Sequence, residues 1–501
     1  MTADGRAQRL WWWGAVGAIA LAGLALRIAA AHGGLWTDEA WSVIYAAEAR
    51  DPLGVFLRIN HDNNHHLYSL WLQAIGTGAP PLLARVPAIV AGTLAIPMAA
   101  LLIGRRSCIG GIAAAALFAC SPILVSFGSE ARGYALMLLA ALVTLWLVTE
   151  TVDGGEKPGT RWWLALTAAV GMFSHLTMAA PVALAALWFY VDRRAALGPA
   201  TAARETWRLM GPALAATAAV IMFVFAAAAA SPTGMRLGGY RAFTVPDYEA
   251  ALDDLGLWSA GLTGPWAWLM PAMIGALALG IAFRPPAWLG SRARLYAVLI
   301  LAVPMGVFLL RVGNAGYARY YLASALGLLL LMADWIGRGL AARGAPRTAA
   351  SALLAVLLLT SGIRDWRLIG LERGEPDRPV RDMAALAPAG ANVALAQPRF
   401  EAVAKLAAAH AGYPLRFAVG CSVAQFALAA QERGTATRPT VRRCGVTMRA
   451  IDSSVASPIT GDSWVLYRAE SLQSAGPPVS GPPPKRAGLP PLSRRAGVAQ
   501  G

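Results

Sequence analysis

Apolar residues in this chain neither alternate nor return on one helical face; they run together in long blocks separated by short polar breaks. Blocks such as "WWWGAVGAIALAGLALRIAA" and "YYLASALGLLLLMADWI" approach the roughly 20 residues that a helix needs to cross a bilayer. Spanning helices are expected over 10–31, 83–103, 108–127, 131–149, 162–177, 179–191, 209–230, 265–283, 295–311, 318–337 and 348–363. The pattern predicts an all-α polytopic membrane protein with about eleven transmembrane helices. The first block follows Arg6 and Arg9 and is longer than the apolar centre of a signal peptide, so an uncleaved first helix is expected.

One apolar segment, "LYSLWLQAIG" at 67–76, is too short to cross, and charge decides how it lies. If it rests on the surface, the arginine-rich loops at 104–106, 191–208, 283–294 and 337–347 share the side of the N-terminus. That side then carries roughly twice the Arg and Lys of the other, as the positive-inside rule demands. If it crosses, the bias inverts. An interfacial helix is therefore expected.

Composition agrees with this picture. The 501 residues are 57% hydrophobic and 14% charged, against about 25% charged in soluble domains. The net charge of +16 comes from arginines in loops between apolar blocks, so it marks orientation, and no nucleic-acid partner is expected. Forty arginines to three lysines, with abundant Ala and Gly, is the composition of a GC-rich bacterial gene. No internal repeat, phosphate loop or dinucleotide fingerprint is present.

Three regions share the outer face: the loop 32–82, the loop 231–262, and everything beyond about 364. The expected domains are a transmembrane domain (1–363), a small α/β domain (364–472) and a Pro-rich basic disordered tail (473–501). Within the α/β domain "ANVALAQ" and "SWVLYR" read as strands and "FEAVAKLAAAHAG" as a helix. Cys421 and Cys444 lie there and can form a disulfide if the tail is outside.

Polar residues at the outer face need reasons. Asp38 and Glu39, in "GGLWTDEAWSVIYAAE", follow the first apolar block directly. Adjacent helical positions diverge by about 100°, so one carboxylate faces a site while the other pairs or solvates. The alternative is that Thr37 or Asp38 caps a helix starting at Glu39. "RINHDNNHHLYSLW" (58–71) holds Asn64, His65, His66 and Tyr68 just before the interfacial helix. Only His61 with His65 has helical metal-ligand spacing, so a solvated capping loop is the simpler reading. "SFGSEARGYALMLL" (126–139) places Glu130, Arg132 and Tyr134 at a helix junction; Arg85, Arg319 and His175 sit at matching depth. Arginines here run against the positive-inside bias, and each either snorkels or holds a phosphate. An acid able to take a proton and arginines able to stabilise a leaving phosphate suit a reaction at a phosphate-bearing lipid.

The order "TDEAWS", "NNHHLYSLW", "ARVPAIVAG…GRR", "SEARGYAL", "ARYYLASALGLLLL" resembles the GT-C glycosyltransferases of the protein-mannosyltransferase and aminoarabinose-transferase type, glycosyltransferase family 39 and its bacterial relatives. The resemblance covers roughly residues 10–340. It implies a multi-helix membrane enzyme taking a sugar from a polyprenyl-phosphate donor, with inversion, on the periplasmic face. Asp38 would be the catalytic base with Glu39 beside it, and Arg132 and Arg319, then Arg85, the phosphate contacts. Where the family has His-Pro-Pro-Leu this chain reads His65-His66-Leu67-Tyr68, so His65 is the matching histidine and the prolines are missing. Glu130 to Tyr134 is similar to the family's Glu-Ala-Arg-x-Tyr. Some relatives bind a divalent metal and others need none, so metal dependence stays open. The acceptor is a lipid, a polysaccharide or a protein of the cell envelope, and in a bacterium the membrane is the inner one. Other readings are a glycan ligase using a pyrophosphate lipid, a lipid or solute transporter, and a non-catalytic assembly partner. Transporters usually carry their polar site at mid-membrane in repeated halves, unlike this chain.

Overall fold

The computed structural model describes residues 3–470, apart from 62, 232–233, 237–240, 262–268, 285, 287–288, 420–423, 432–435 and 444. The expected tail, Cys421 and Cys444 lie outside the described residues.

Among the described residues, seven helices are long and apolar enough to cross a membrane: Arg6–Ala30, Pro81–Gly104, Tyr134–Gly154, Pro199–Ala230, Arg292–Leu309, Ala318–Ala341 and Ala345–Gly374. The other expected segments are also helical, as Cys108–Cys120, Thr160–Ser174, Ala179–Leu197 and Leu269–Phe283. The single helix expected over 108–127 is instead broken at Ser121, with φ −63° and ψ 119°. Pro122 has no N–H and disfavours helical backbone in the residue before it, so a new short helix starts there, Pro122–Phe127. Large side chains including Phe118, Trp188, Tyr296 and Phe127 fill the centre of the bundle.

Two ends of the bundle differ in chemistry. At one, arginine and lysine pair with acids: Lys157 with Glu150 at 3.1 Å, Arg106 with Asp153 at 3.4 Å, and Arg105 with Glu150. At the other, the first loop folds into three helices, Thr37–Glu48, Pro52–Leu57 and His66–Ile75. The last of these is ten residues, about 15 Å long, half of a ~30 Å hydrocarbon core. It packs on the helices Thr37–Glu48 and Thr160–Ser174, as a surface-lying segment would.

The helix carrying the two acids starts at Thr37 with Trp36 as its N-cap, one turn position earlier than a Thr37 or Asp38 cap would set it. Glu39 accepts from Trp36 N–H at 3.3 Å and Asp462 accepts from Thr37 N–H at 2.7 Å, so acids from positions other than the cap satisfy these free donors.

The last spanning helix leads through a turn into a six-stranded sheet: β1 (Ala391–Leu395), β2 (Leu415–Phe417), β3 (Phe426–Ala430), β4 (Thr440–Arg443), β5 (Val446–Ser454) and β6 (Trp464–Ala469). The order is β2-β1-β3-β6-β5-β4; β1 runs parallel to β2 and β3, and the remaining pairs are antiparallel. Helices Arg378–Leu386 and Glu401–Ala411 cover one face, burying Met383, Phe400 and Ala408 with Val393, Phe426, Trp464 and Leu466. Helix Glu401–Ala411 then packs on helix Thr37–Glu48, which seats the sheet domain against the first loop.

Candidate active site

The helix Thr37–Glu48 sends its two acids in opposite directions. Glu39 is fully buried and forms a two-pronged pair with Arg85: Nε donates to Oε1 at 2.9 Å and Nη2 to Oε2 at 2.6 Å. The rest of the Arg85 fork donates to the carbonyls of Ala31, Gly33 and Gly34 at 2.7–2.9 Å. Ala131 N–H adds a bond to Glu39 Oε1 at 2.6 Å. Burial alone pushes the Glu39 carboxyl up; Arg85, then Arg373 and Ala131 N–H, outweigh it and hold it below its usual range. Neither residue lines the large outer cavity. Glu39 is thus the acid of the two that pairs, and Arg85, expected as a phosphate contact, is turned to it and to backbone carbonyls. Every donor of Arg85 already has a protein acceptor, and the pair ties the first spanning helix's exit to the helix Pro81–Gly104.

Asp38 faces a cavity of about 680 Å³ at the same end of the bundle. Its Oδ2 takes a hydrogen bond from Arg319 Nη1 at 3.1 Å and stands 2.9 Å from Arg132 Nη1. Asn63 Nδ2 donates to the Asp38 carbonyl at 2.9 Å and to Ser42 Oγ, while its Oδ1 accepts from Arg132 Nη2 at 2.8 Å. Arg132 lies over the Tyr134 ring at 4.9 Å, and Arg319 over Tyr317 at 4.4 Å. The Nε atoms of both arginines are buried with no hydrogen-bond partner in the protein, as is His65 Nε2. The wall thus holds two cations and a carboxylate that touches both.

His65 stacks on His175 with centroids 4.8 Å apart, and Tyr134 lies 4.3 Å from His175. Burial, then His175 and Arg132, hold His65 well below the ordinary histidine value, so it is neutral at physiological pH. His175 Nδ1 accepts from Thr177 N–H at 3.1 Å. Asn64 lines the cavity but donates away from it, to the carbonyls of Val55 and Ile59 at 2.9 Å. Tyr68 lies outside the cavity, its hydroxyl donating to the Ala84 carbonyl at 2.8 Å. Glu130 is buried behind the cavity and accepts from Thr460 Oγ1. Burial pushes its carboxyl up to about 7, against the pull of Arg132 and Arg373.

Residues passed over in the sequence also line the cavity: Asn63, Trp36, Tyr317 and Tyr320, with Arg399, Thr460 and Asp462 from the sheet domain. Asn63 stands in the polar run beside Asn64, and the tyrosines flank Arg319, so position along the chain carried a local signal. Thr460 and Asp462 carried none. Among the described residues no three His, Cys, Asp or Glu side chains converge as a metal would need. Asp38, at the cavity wall, is held by the cations Arg132 and Arg319.

No protein-family model matches this chain, and no curated protein does. Among solved structures, ArnT from Cupriavidus metallidurans in the apo state is 13% identical over 94% of this chain and 100% of that one, with a TM-score of 0.53. ArnT bound to undecaprenyl phosphate is 14% identical over 95% of this chain and 100% of that one, with a TM-score of 0.48. The Archaeoglobus fulgidus oligosaccharyltransferase, tethered with an acceptor peptide, is 14% identical over 81% of this chain at a TM-score of 0.46, and this chain spans 63% of its length. The likeness to apo ArnT shows the fold: this is a GT-C architecture, a multi-pass helical membrane domain with a small strand-containing C-terminal domain.

Proposed function

We propose that the protein is an inverting glycosyltransferase that moves a sugar from a polyprenyl-phosphate donor to a hydroxyl of a cell-envelope acceptor. One observation carries this reading: Asp38 Oδ2 is gripped by both Arg132 and Arg319 at the wall of a cavity at the membrane-exit end of the bundle. A base and a phosphate seat are thereby in contact.

In the step, the acceptor oxygen attacks the anomeric carbon while Asp38 takes its proton. The bond from that carbon to the phosphate oxygen breaks, and the lipid phosphate leaves with the electron pair, where the arginines balance its charge. A single displacement inverts the anomeric centre. Tyr317 and Tyr320, half-buried at the cavity wall, offer aromatic surface to the sugar. The apolar exterior of the bundle gives the isoprenoid chain a place in the lipid. The concentration of arginine at the opposite end of the bundle supports a periplasmic cavity in an inner membrane. That ArnT, which has this fold, has been solved with undecaprenyl phosphate supports the donor class.

Asp38 sits where a donor phosphate oxygen would. Donor binding then has to displace the carboxylate from the arginines, which frees the base as the donor arrives. The reading is tested with radiolabelled polyprenyl-phosphate sugars supplied to membranes holding the wild type or Asp38→Asn. Transfer by the wild type and its loss in the folded variant are expected; equal transfer by both overturns the role of Asp38.

A further inference from the structure

The β5–β6 connection of the sheet domain is tied to the same machinery from behind. Its residues Pro458 to Asp462 line the cavity, as Tyr317 and Tyr320 do. Thr460 and Asp462 are both buried, and the side chain of each bonds into the membrane domain. Thr460 Oγ1 donates to Glu130 Oε1, two residues before Arg132. The Glu130 carbonyl accepts from Arg132 N–H at 2.7 Å, so this turn sets where the arginine leaves the backbone. Asp462 Oδ2 accepts from Thr37 N–H at 2.7 Å, at the first turn of the helix and one residue before Asp38. A carboxylate at a helix N-terminus both satisfies a free donor and opposes the positive end of the helix dipole.

The connection is itself clamped. Gly461 has φ +94° and Gly374 has φ +85°, and a side chain at either would collide with the backbone of the other strand of the clasp, at Arg373 or Asp462. Arg373 holds left-handed backbone at φ 56°. Its guanidinium donates to Ser129 O at 2.7 Å, to Ser129 Oγ at 2.8 Å, and to the Ala30 carbonyl. Asp462 N–H returns to the Arg373 carbonyl at 3.1 Å. The clasp therefore joins the end of the first spanning helix, the turn before Arg132 and the start of the Asp38 helix.

We propose that Thr460 and Asp462 are positioning residues of the transfer site, setting Arg132 and Asp38 respectively in register from the sheet domain. This rests on the reading that Asp38 and Arg132 carry the reaction. The C-terminal domain is then a part of the catalytic unit.

The test uses the full chain in membranes with Thr460→Val, Thr460→Ser, Asp462→Ala and Asp462→Asn. Thr460→Val and Asp462→Ala should lower kcat at least about tenfold, since small misplacements of reacting groups are costly, with KM for the donor changed far less. Thr460→Ser and Asp462→Asn keep the hydroxyl donor and the acceptor oxygen, and should restore transfer to within about threefold of the wild type. Amide hydrogen exchange without substrate should speed up at 36–40 in Asp462→Ala and at 129–133 in Thr460→Val, and nowhere in the far end of the bundle. Unchanged exchange at both segments overturns the inference whether or not any sugar is transferred. Asp462→Asn as inactive as Asp462→Ala overturns positioning and makes the Asp462 charge itself the requirement. A wild type that transfers nothing overturns the parent reading alone, and the exchange data then decide the clasp.

Discussion

Asp38 and Glu39 are neighbours on one helix, and the fold treats their charges in opposite ways. Glu39 is sealed, with every oxygen and every donor of Arg85 satisfied by protein. Asp38 keeps part of its carboxylate open to a cavity, and its two arginines retain buried donors that nothing in the protein uses. The first arrangement holds three segments together and leaves nothing for a ligand. The second is a charge cluster whose balance changes as soon as an anion enters. A single step of about 100° around a helix separates a sealed ion pair from one that faces a cavity.

The comparison breaks most visibly if Asp38 and the arginine partner of Glu39 are altered in turn. Asp38→Asn should lose about 10²- to 10⁴-fold in transfer, the usual worth of a general base, while its thermal unfolding stays close to that of the wild type. Arg85→Ala should do the reverse. Leaving Glu39 buried without its partner costs about 3–5 kcal/mol, read as a fall in melting temperature and in folded protein in membranes. If Arg85→Ala were as stable as wild type and merely inactive, Glu39 and Arg85 would belong to the chemistry after all.

Smaller effects sharpen the cationic side. Arg132→Ala and Arg319→Ala should each weaken binding of undecaprenyl phosphate by about 1.5–3 kcal/mol, the worth of a hydrogen bond to a charged group, measured by titration in detergent. Equal binding by all three proteins would move the phosphate elsewhere.

Least in size is a pH effect at Glu130. Its carboxyl lies at about 7 in the fold, above the 4.5 of the free side chain. The folded chain therefore holds this proton more tightly than the unfolded one. The stabilisation it gives is complete below about 4.5 and is lost as pH rises through about 7. Glu130→Gln stays neutral, so its melting temperature should gain on the wild type as pH goes from 5.5 to 8. A constant difference over that range would mean that Glu130 is ionised throughout.

Much of this was legible from apolar blocks and charge. The spanning helices, the short surface helix at 66–75 and the divergence of Asp38 from Glu39 follow from length, loop charge and helical geometry. The break at Ser121 was not legible, because Pro87, Pro97, Pro212 and Pro304 also stand in apolar runs and their helices continue through them. Nor was the fate of Arg85. An arginine near a helix end reads the same whether its fork turns to a cavity or back onto the carbonyls of Ala31, Gly33 and Gly34. Thr460 and Asp462 were out of reach for a different reason. They meet Glu130 and Thr37 only after the sheet domain has docked, across more than 300 residues of chain, and no local pattern encodes such a meeting. Strands β2 to β5 were missed because they are short or carry exposed arginines, as in "LRF" and "TVRR", which weakens the apolar alternation.

The most direct measurement is an equilibrium titration of undecaprenyl phosphate into the wild type and Asp38→Asn, side by side and without any sugar. If the carboxylate occupies the arginines that a donor phosphate needs, removing its charge should tighten binding about tenfold, or ~1.4 kcal/mol. The same variant should then transfer no sugar, a tighter binder that cannot react. Equal or weaker binding by Asp38→Asn would contradict the account, because the phosphate would then not compete with Asp38 for Arg132 and Arg319.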